Sequence, residues 1–173
     1  MKSRLPLPDV MQLNTEQRAI HDSIISTRGN LSGPFLAWMH SPGLASPAEK
    51  LGAFCRYSTL FSLVESELLI LCVAARYQCL GEQQIHEPIA HQAGLSEKSI
   101  EQLRSGAVPV LSDERQRLLH RLATELLNTN RIGDALYKQG IQAYGERGMV
   151  ELVGIVGYYT LVAMTLNAFE MQT

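Results

Sequence analysis

The sequence predicts an all-α fold, and three observations carry that expectation. Apolar residues recur at the 3.6-residue helical period over long segments, the alternation of a half-buried strand is nearly missing, and capping residues stand where the periodic segments begin. The first helix is expected over residues 15–28, with Asn14 or Thr15 as its N-cap and Gly29 ending it. A Gly/Pro-punctuated stretch follows, with a short helical turn over 35–40, and then a helix over 47–60. Ser62-Leu63-Val64-Glu65 supplies a capping box for a long helix carrying Glu67, Cys72 and Arg76. Gly81 is the expected terminator of that helix, which puts Glu82 in the first turn of the next one, and Pro88 falls where a helix would kink. Ser96 caps a helix to residue 105, and residues 106–111 form a linker. Three further helices are expected over 112–128, 132–144 and 148–171.

The bulk composition narrows the function classes. A chain of 173 residues with 46% hydrophobic and 18% charged residues can bury a core as one domain over 1–173, residues 1–43 forming an N-terminal helix and a Gly/Pro-rich segment packed on it. A net charge of −2 gives no general attraction to phosphate or acidic lipid, so neither nucleic acid nor membrane is expected as a partner. Residues 89–106 have the Ala, Gly and Ile spacing of a helix-turn-helix, but Lys98 and Arg104 are offset there by Glu97 and Glu101. The uncharged run 152–169 reaches the length of a short membrane span, but Gly154, Gly157 and Asn167 dilute it, so it reads as a buried core helix. Three cysteines without a CxxC pair, and no apolar leader at the start, fit a reducing cytoplasm.

One polar thread runs through this apolar sequence: Glu67, Cys79, Glu82 and His86. Cys79, Glu82 and His86 stand at i, i+3 and i+7, one face of a helix, and Glu82 and His86 are direct i,i+4 neighbours. An imidazole oriented by a carboxylate suits proton transfer near neutral pH. Glu67 leads into Leu68-Leu69-Ile70-Leu71, where a carboxylate must be paired, protonated or close to water. Cys79 at a helix start reads either as a reactive thiol or as a small buried hydrophobe. His86 and His91 lie on different faces, so no metal site is expected. Arg56-Tyr57 and Trp38-Met39-His40 are the next polar-aromatic groups, and an Arg beside a Tyr suits a substrate carboxylate. Tyr158-Tyr159, inside the apolar final helix, needs a buried partner for at least one hydroxyl. Glu151-Leu152 echoes Glu67-Leu68 and hints at a duplicated helical unit.

The frame Glu-x11-Cys-x2-Glu-x3-His resembles the hallmark of the carboxymuconolactone decarboxylase and alkylhydroperoxidase D (AhpD-like) superfamily, Glu-x11-Cys-x2-Cys-x3-His. The segment from Gly33 to Pro42, Arg56-Tyr57 and Gly157-Tyr158-Tyr159 look like parts of its longer, decarboxylase-like members. The resemblance implies an all-helical AhpD-like domain, a central helix pair carrying the frame, a homo-oligomer from dimer or trimer to hexamer, and no cofactor. Glu82 occupies the position of the peroxide-reacting cysteine, which turns the expectation from thiol chemistry to acid/base chemistry on a small carboxylated ring or lactone. Under it, His86 moves the proton, Glu82 orients it and Glu67 completes the relay, while Arg56, helped by Tyr57 or His40 near Trp38, holds the substrate carboxylate. The alternatives are a thiol peroxidase of the alkylhydroperoxidase or peroxiredoxin type using Cys79, and a non-catalytic oligomeric interaction module.

Overall fold

Ten consecutive side chains of one central helix, Glu65 to Ala74, are buried, and the other helices are arranged around it. The computed structural model describes residues 2–171; Met1, Gln172 and Thr173 fall outside the described residues. The described elements are a 3-10 turn, Val10–Gln12, and α1 Thr15–Arg28, α2 Pro34–Trp38, α3 Pro42–Tyr57, α4 Leu63–Arg76, α5 Leu80–Ala93, α6 Glu97–Arg104, α7 Glu114–Thr129 and α8 Asp134–Ala168. No β-strand occurs among the described residues. The all-α expectation therefore holds.

Local chemistry sets most boundaries. In α1, Asn14 accepts from the Gln17 N–H at 2.9 Å while the Gln17 side chain returns to the Asn14 N–H at 3.0 Å, and Gly29 closes the helix at φ 77°. Glu65 accepts from the Ser62 N–H at 3.0 Å in the capping box of α4. Ser96 and Asp113 cap α6 and α7 through the N–H groups of Ser99 and Gln116.

Three boundaries differ from the sequence reading. α3 begins at Pro42, not residue 47, because Pro42 needs no N–H in the first turn; Pro47 is carried inside the helix, which ends at Tyr57. Pro88 is likewise contained within α5. Gly81 does not end α4. Gln78 does, at φ 50°, with its N–H given to Ala75 O at 3.2 Å and the Cys79 N–H to Ala74 O at 2.9 Å. That is the paired closure usually made by glycine, and it leaves only three residues between α4 and α5.

α4 is apolar on all sides and packs against α5, α6, α7 and α8, as a helix without a polar face must. α8 is broken at Gly145, whose φ of 67° and ψ of 179° are non-helical, so it acts as two helices close to the expected 132–144 and 148–171. Its apolar part is the one described stretch long enough to cross a bilayer, and most of it is buried inside the protein. Glu151 forms no second version of the Glu67 site. It accepts the Leu60 N–H at 2.7 Å and the Arg147 Nε–H at 2.6 Å, pinning the α3–α4 turn. Glu151→Ala strips the Leu60 N–H of its partner, and the expected loss is about 1–3 kcal/mol in urea unfolding; an unchanged midpoint would refute this role.

Candidate active site

Three consecutive helices converge on Glu67, whose side chain is completely shielded from solvent. From α3, Arg56 Nη1 donates to Glu67 Oε1 at 3.1 Å; from α5, His86 Nδ1 meets Glu67 Oε2 at 2.7 Å. Arg56 Nη1 also lies 3.4 Å from His86 Nδ1. The shorter approach decides the tautomer: Nδ1 gives its proton to the Glu67 carboxylate, so Nε2 is the ring nitrogen left for exchange. Arg56 also hydrogen-bonds Tyr159, whose ring stands edge-on to His86 with centroids 5.4 Å apart. These contacts lock the imidazole on three sides.

One turn before His86 on α5, Glu82 Oε2 lies 3.5 Å from His86 Nε2, near enough for electrostatic attraction but without hydrogen-bond geometry. Oε2 is buried and has no hydrogen-bond partner among the described residues. Burial pushes the Glu82 carboxyl above the ordinary glutamate range, a tendency opposed by His86 and Arg56 and reinforced by Glu67. Glu82 is thus a buried, unpartnered carboxyl with a raised pKa beside an oriented imidazole.

This pair faces a cavity of about 230 Å³ whose walls include Arg28, Phe35, Arg56, Tyr57, Glu82, His86, Tyr158 and Tyr159. Arg28 was not singled out from the sequence. A basic residue in the last turn of a helix ordinarily serves the helix dipole, and nothing in its neighbours signals otherwise. In the structure its Nε and Nη2 are buried without hydrogen-bond partners, its guanidinium carbon lies 4.8 Å from the Phe35 ring centre and 5.8 Å from that of Tyr57. Gly52 makes room here, since a Cβ would stand 2.1 Å from Tyr158 Oη and 2.9 Å from Arg28 Nη2.

The sequence-derived candidates divide by position. Arg56, Glu67, Glu82 and His86 come together, and Tyr57 stands at the cavity rim. Trp38 lies one layer behind, 6.2 Å between centroids from Tyr158, with Nε1–H donated to Thr165 Oγ1 at 3.0 Å. His40 is outside the cavity, its Nε2 2.6 Å from Pro6 O. Cys79 is the N-cap of α5 and fully buried, away from the cavity lining. Burial raises its thiol pKa despite the Glu82 and Gly81 N–H groups that favour the thiolate, the reverse of the activation expected at a helix start.

The helical arrangement is that of the alkylhydroperoxidase AhpD core. No family model matches the chain, and no curated protein matches it by sequence. Among solved structures, it aligns with "alkylhydroperoxidase AhpD core: uncharacterized peroxidase-related protein" from Ralstonia eutropha JMP134 at TM-score 0.81 and 17% identity, covering 98% of this chain and 91% of that one. An "uncharacterized peroxidase-related protein" from Silicibacter sp. TM1040 aligns with the same values: TM-score 0.81, 17% identity, 98% and 91% coverage. At that identity the likeness defines the fold.

The raised Glu82 pKa gives a stability signature. Below about pH 4.3, the ordinary glutamate value, the carboxyl is protonated whether the chain is folded or not. As pH rises through the higher folded pKa, the native state loses stability relative to the unfolded chain. Glu82→Gln has no such ionisation. Its stability relative to wild type should therefore rise with pH above about 4.3 and level off once the folded carboxyl has ionised. Urea unfolding from pH 4 to 8 tests this, and a pH-independent difference would refute it.

Proposed function

We propose that the protein is an AhpD-like superfamily enzyme of the carboxymuconolactone decarboxylase type, doing acid/base chemistry on a small carboxylated ring or lactone. The observation that carries this reading is the buried, unpartnered Glu82 carboxyl, its pKa raised by burial, beside a His86 ring oriented by Glu67. Proton transfer takes a carbon-bound proton onto His86 Nε2 and returns one to carbon from Glu82. The 3.5 Å between Nε2 and Oε2 lets the pair reset afterwards. In decarboxylation the carbon–carboxylate bond breaks, CO2 leaves, the electron pair stays on the ring as an enolate, and the same acid protonates the carbon. A cavity of about 230 Å³ suits one small ring.

A thiol mechanism has less support. Burial pushes the Cys55 and Cys72 thiols up to about 11 and about 12 and raises Cys79 as well, so the protonated, unreactive forms prevail near neutrality. We further propose a homo-oligomer; an exposed groove lined by Leu51, Phe54 and Val150 supports it.

The test is a screen of small cyclic carboxylic acids for CO2 release and for solvent-deuterium exchange. Wild type should turn over at least one of them, and His86→Gln and Glu82→Gln should each lose about 10²–10⁴-fold in kcat with unchanged helical content. Turnover surviving both changes would overturn the reading, as would stoichiometric hydroperoxide consumption abolished by Cys79→Ser.

A further inference from the structure

The cavity holds two guanidinium groups in opposite situations. Arg56 is spent: Nη1 is given to Glu67, and the side chain also bonds Tyr159. Its charge is balanced by the carboxylate it touches. Arg28 is not spent. No carboxylate lies within ion-pairing distance of it among the described residues, and the two nitrogens left without partners are Nε and Nη2. These two form a single edge of the guanidinium, the edge whose parallel N–H bonds match the two oxygens of a carboxylate.

The same protein displays that pairing on its surface, where Arg104 donates Nε–H to Glu87 Oε1 at 2.7 Å and Nη2–H to Oε2 at 2.5 Å. At Arg28 the same fork has no acceptor among the described residues.

We propose that Arg28 is the carboxylate anchor of the cavity: its Nε/Nη2 edge takes the carboxylate of a small ring-bearing acid in a bidentate pair, with the ring against Phe35 and Tyr57. This rests on the acid/base reading only for what happens next, since the anchor is a matter of binding. Three features support it. Both nitrogens of the edge are buried and unpaired, and a carboxylate that reaches them adds charge pairing where Arg28 alone is uncompensated. The Phe35 and Tyr57 rings, 4.8 and 5.8 Å from the guanidinium carbon, supply the apolar wall that a ring needs. The Arg28 side chain keeps its place because α3 offers bare backbone at Gly52.

The anchor also limits the chemistry. A carboxylate clamped in two charge-assisted hydrogen bonds is stabilised as the anion, so it is not the group that leaves as CO2. Substrates bearing one carboxylate are then processed by proton transfer, and decarboxylation requires a second carboxylate directed at Glu82 and His86.

The test uses 4-fluorobenzoate and its neutral counterpart 4-fluorobenzamide, titrated into the full chain and followed by fluorine NMR. Wild type should bind the acid saturably and the amide at least ten-fold more weakly. Arg28→Gln and Arg28→Lys should each weaken the acid at least ten-fold, the lysine variant because it keeps the charge but not the fork. The Arg28 Nε–H resonance of wild-type protein should shift with the same saturation curve, a readout that needs no variant to fold. Equal binding of acid and amide, no saturable binding, an unmoved Nε–H resonance, or either variant binding within two-fold of wild type would overturn the anchor. Binding with these properties but no turnover of any acid would sink the acid/base reading and leave the anchor standing.

Discussion

The site and the packing around it depend on one constraint: Glu67 is a carboxylate with no access to water. Such a group survives in a core only when its oxygens are matched, and here each oxygen has one partner from a different helix. Arg56 must therefore arrive from α3 and His86 from α5, which sets those helices against α4 in a single register. A buried pair of this kind adds little net stability, and its removal piecemeal is costly, so its contribution is geometry. The tight Gln78 corner does the rest, since three residues between α4 and α5 leave His86 little freedom to drift from Glu67.

Much of this was legible because it is local. Asn14, Ser62, Ser96 and Asp113 act as caps where their side chains can meet an N–H two or three residues on, and spacing alone places Glu82 and His86 on one face of α5. The burial of Glu67 was legible as a demand for a partner. Arg56 entered as a candidate for a different duty, binding substrate, because its distance to Glu67 is set by how α3 and α4 pack. The Gln78 terminator was missed for a related reason. A non-glycine residue at positive φ is held there by its own N–H bond to Ala75 O and by the following Cys79 N–H bond to Ala74 O, and composition favours Gly81. Arg28 and His40 show the same gap in both directions: an ordinary helix-end arginine reaches the cavity, and a histidine beside the aromatic segment turns away to Pro6.

In the proposed function the two arginines divide one problem. A cavity that handles protons needs a cation to hold its relay in place, and a cavity that takes an acid needs a cation to receive it. Under the proposed reading these duties fall to different residues, since Arg56 is already paired with a buried carboxylate and Arg28 is not. Arg56 is paired with the protein's own Glu67 and Arg28 has no such pair, while both line the same cavity as Glu82 and His86. The tyrosine pair on α8 is part of the same enclosure: its rings stand 5.3 Å apart and nearly perpendicular, close the cavity from behind and support Arg56.

Trp38 is the chain's single tryptophan, and it lies behind this wall with its indole edge against Tyr158 and its N–H fixed on Thr165. All of the indole fluorescence of the protein therefore originates one ring away from the cavity, in a dry and rigid environment. Emission intensity and wavelength will follow any movement of Tyr158, so the molecule carries its own optical reporter of what enters the site.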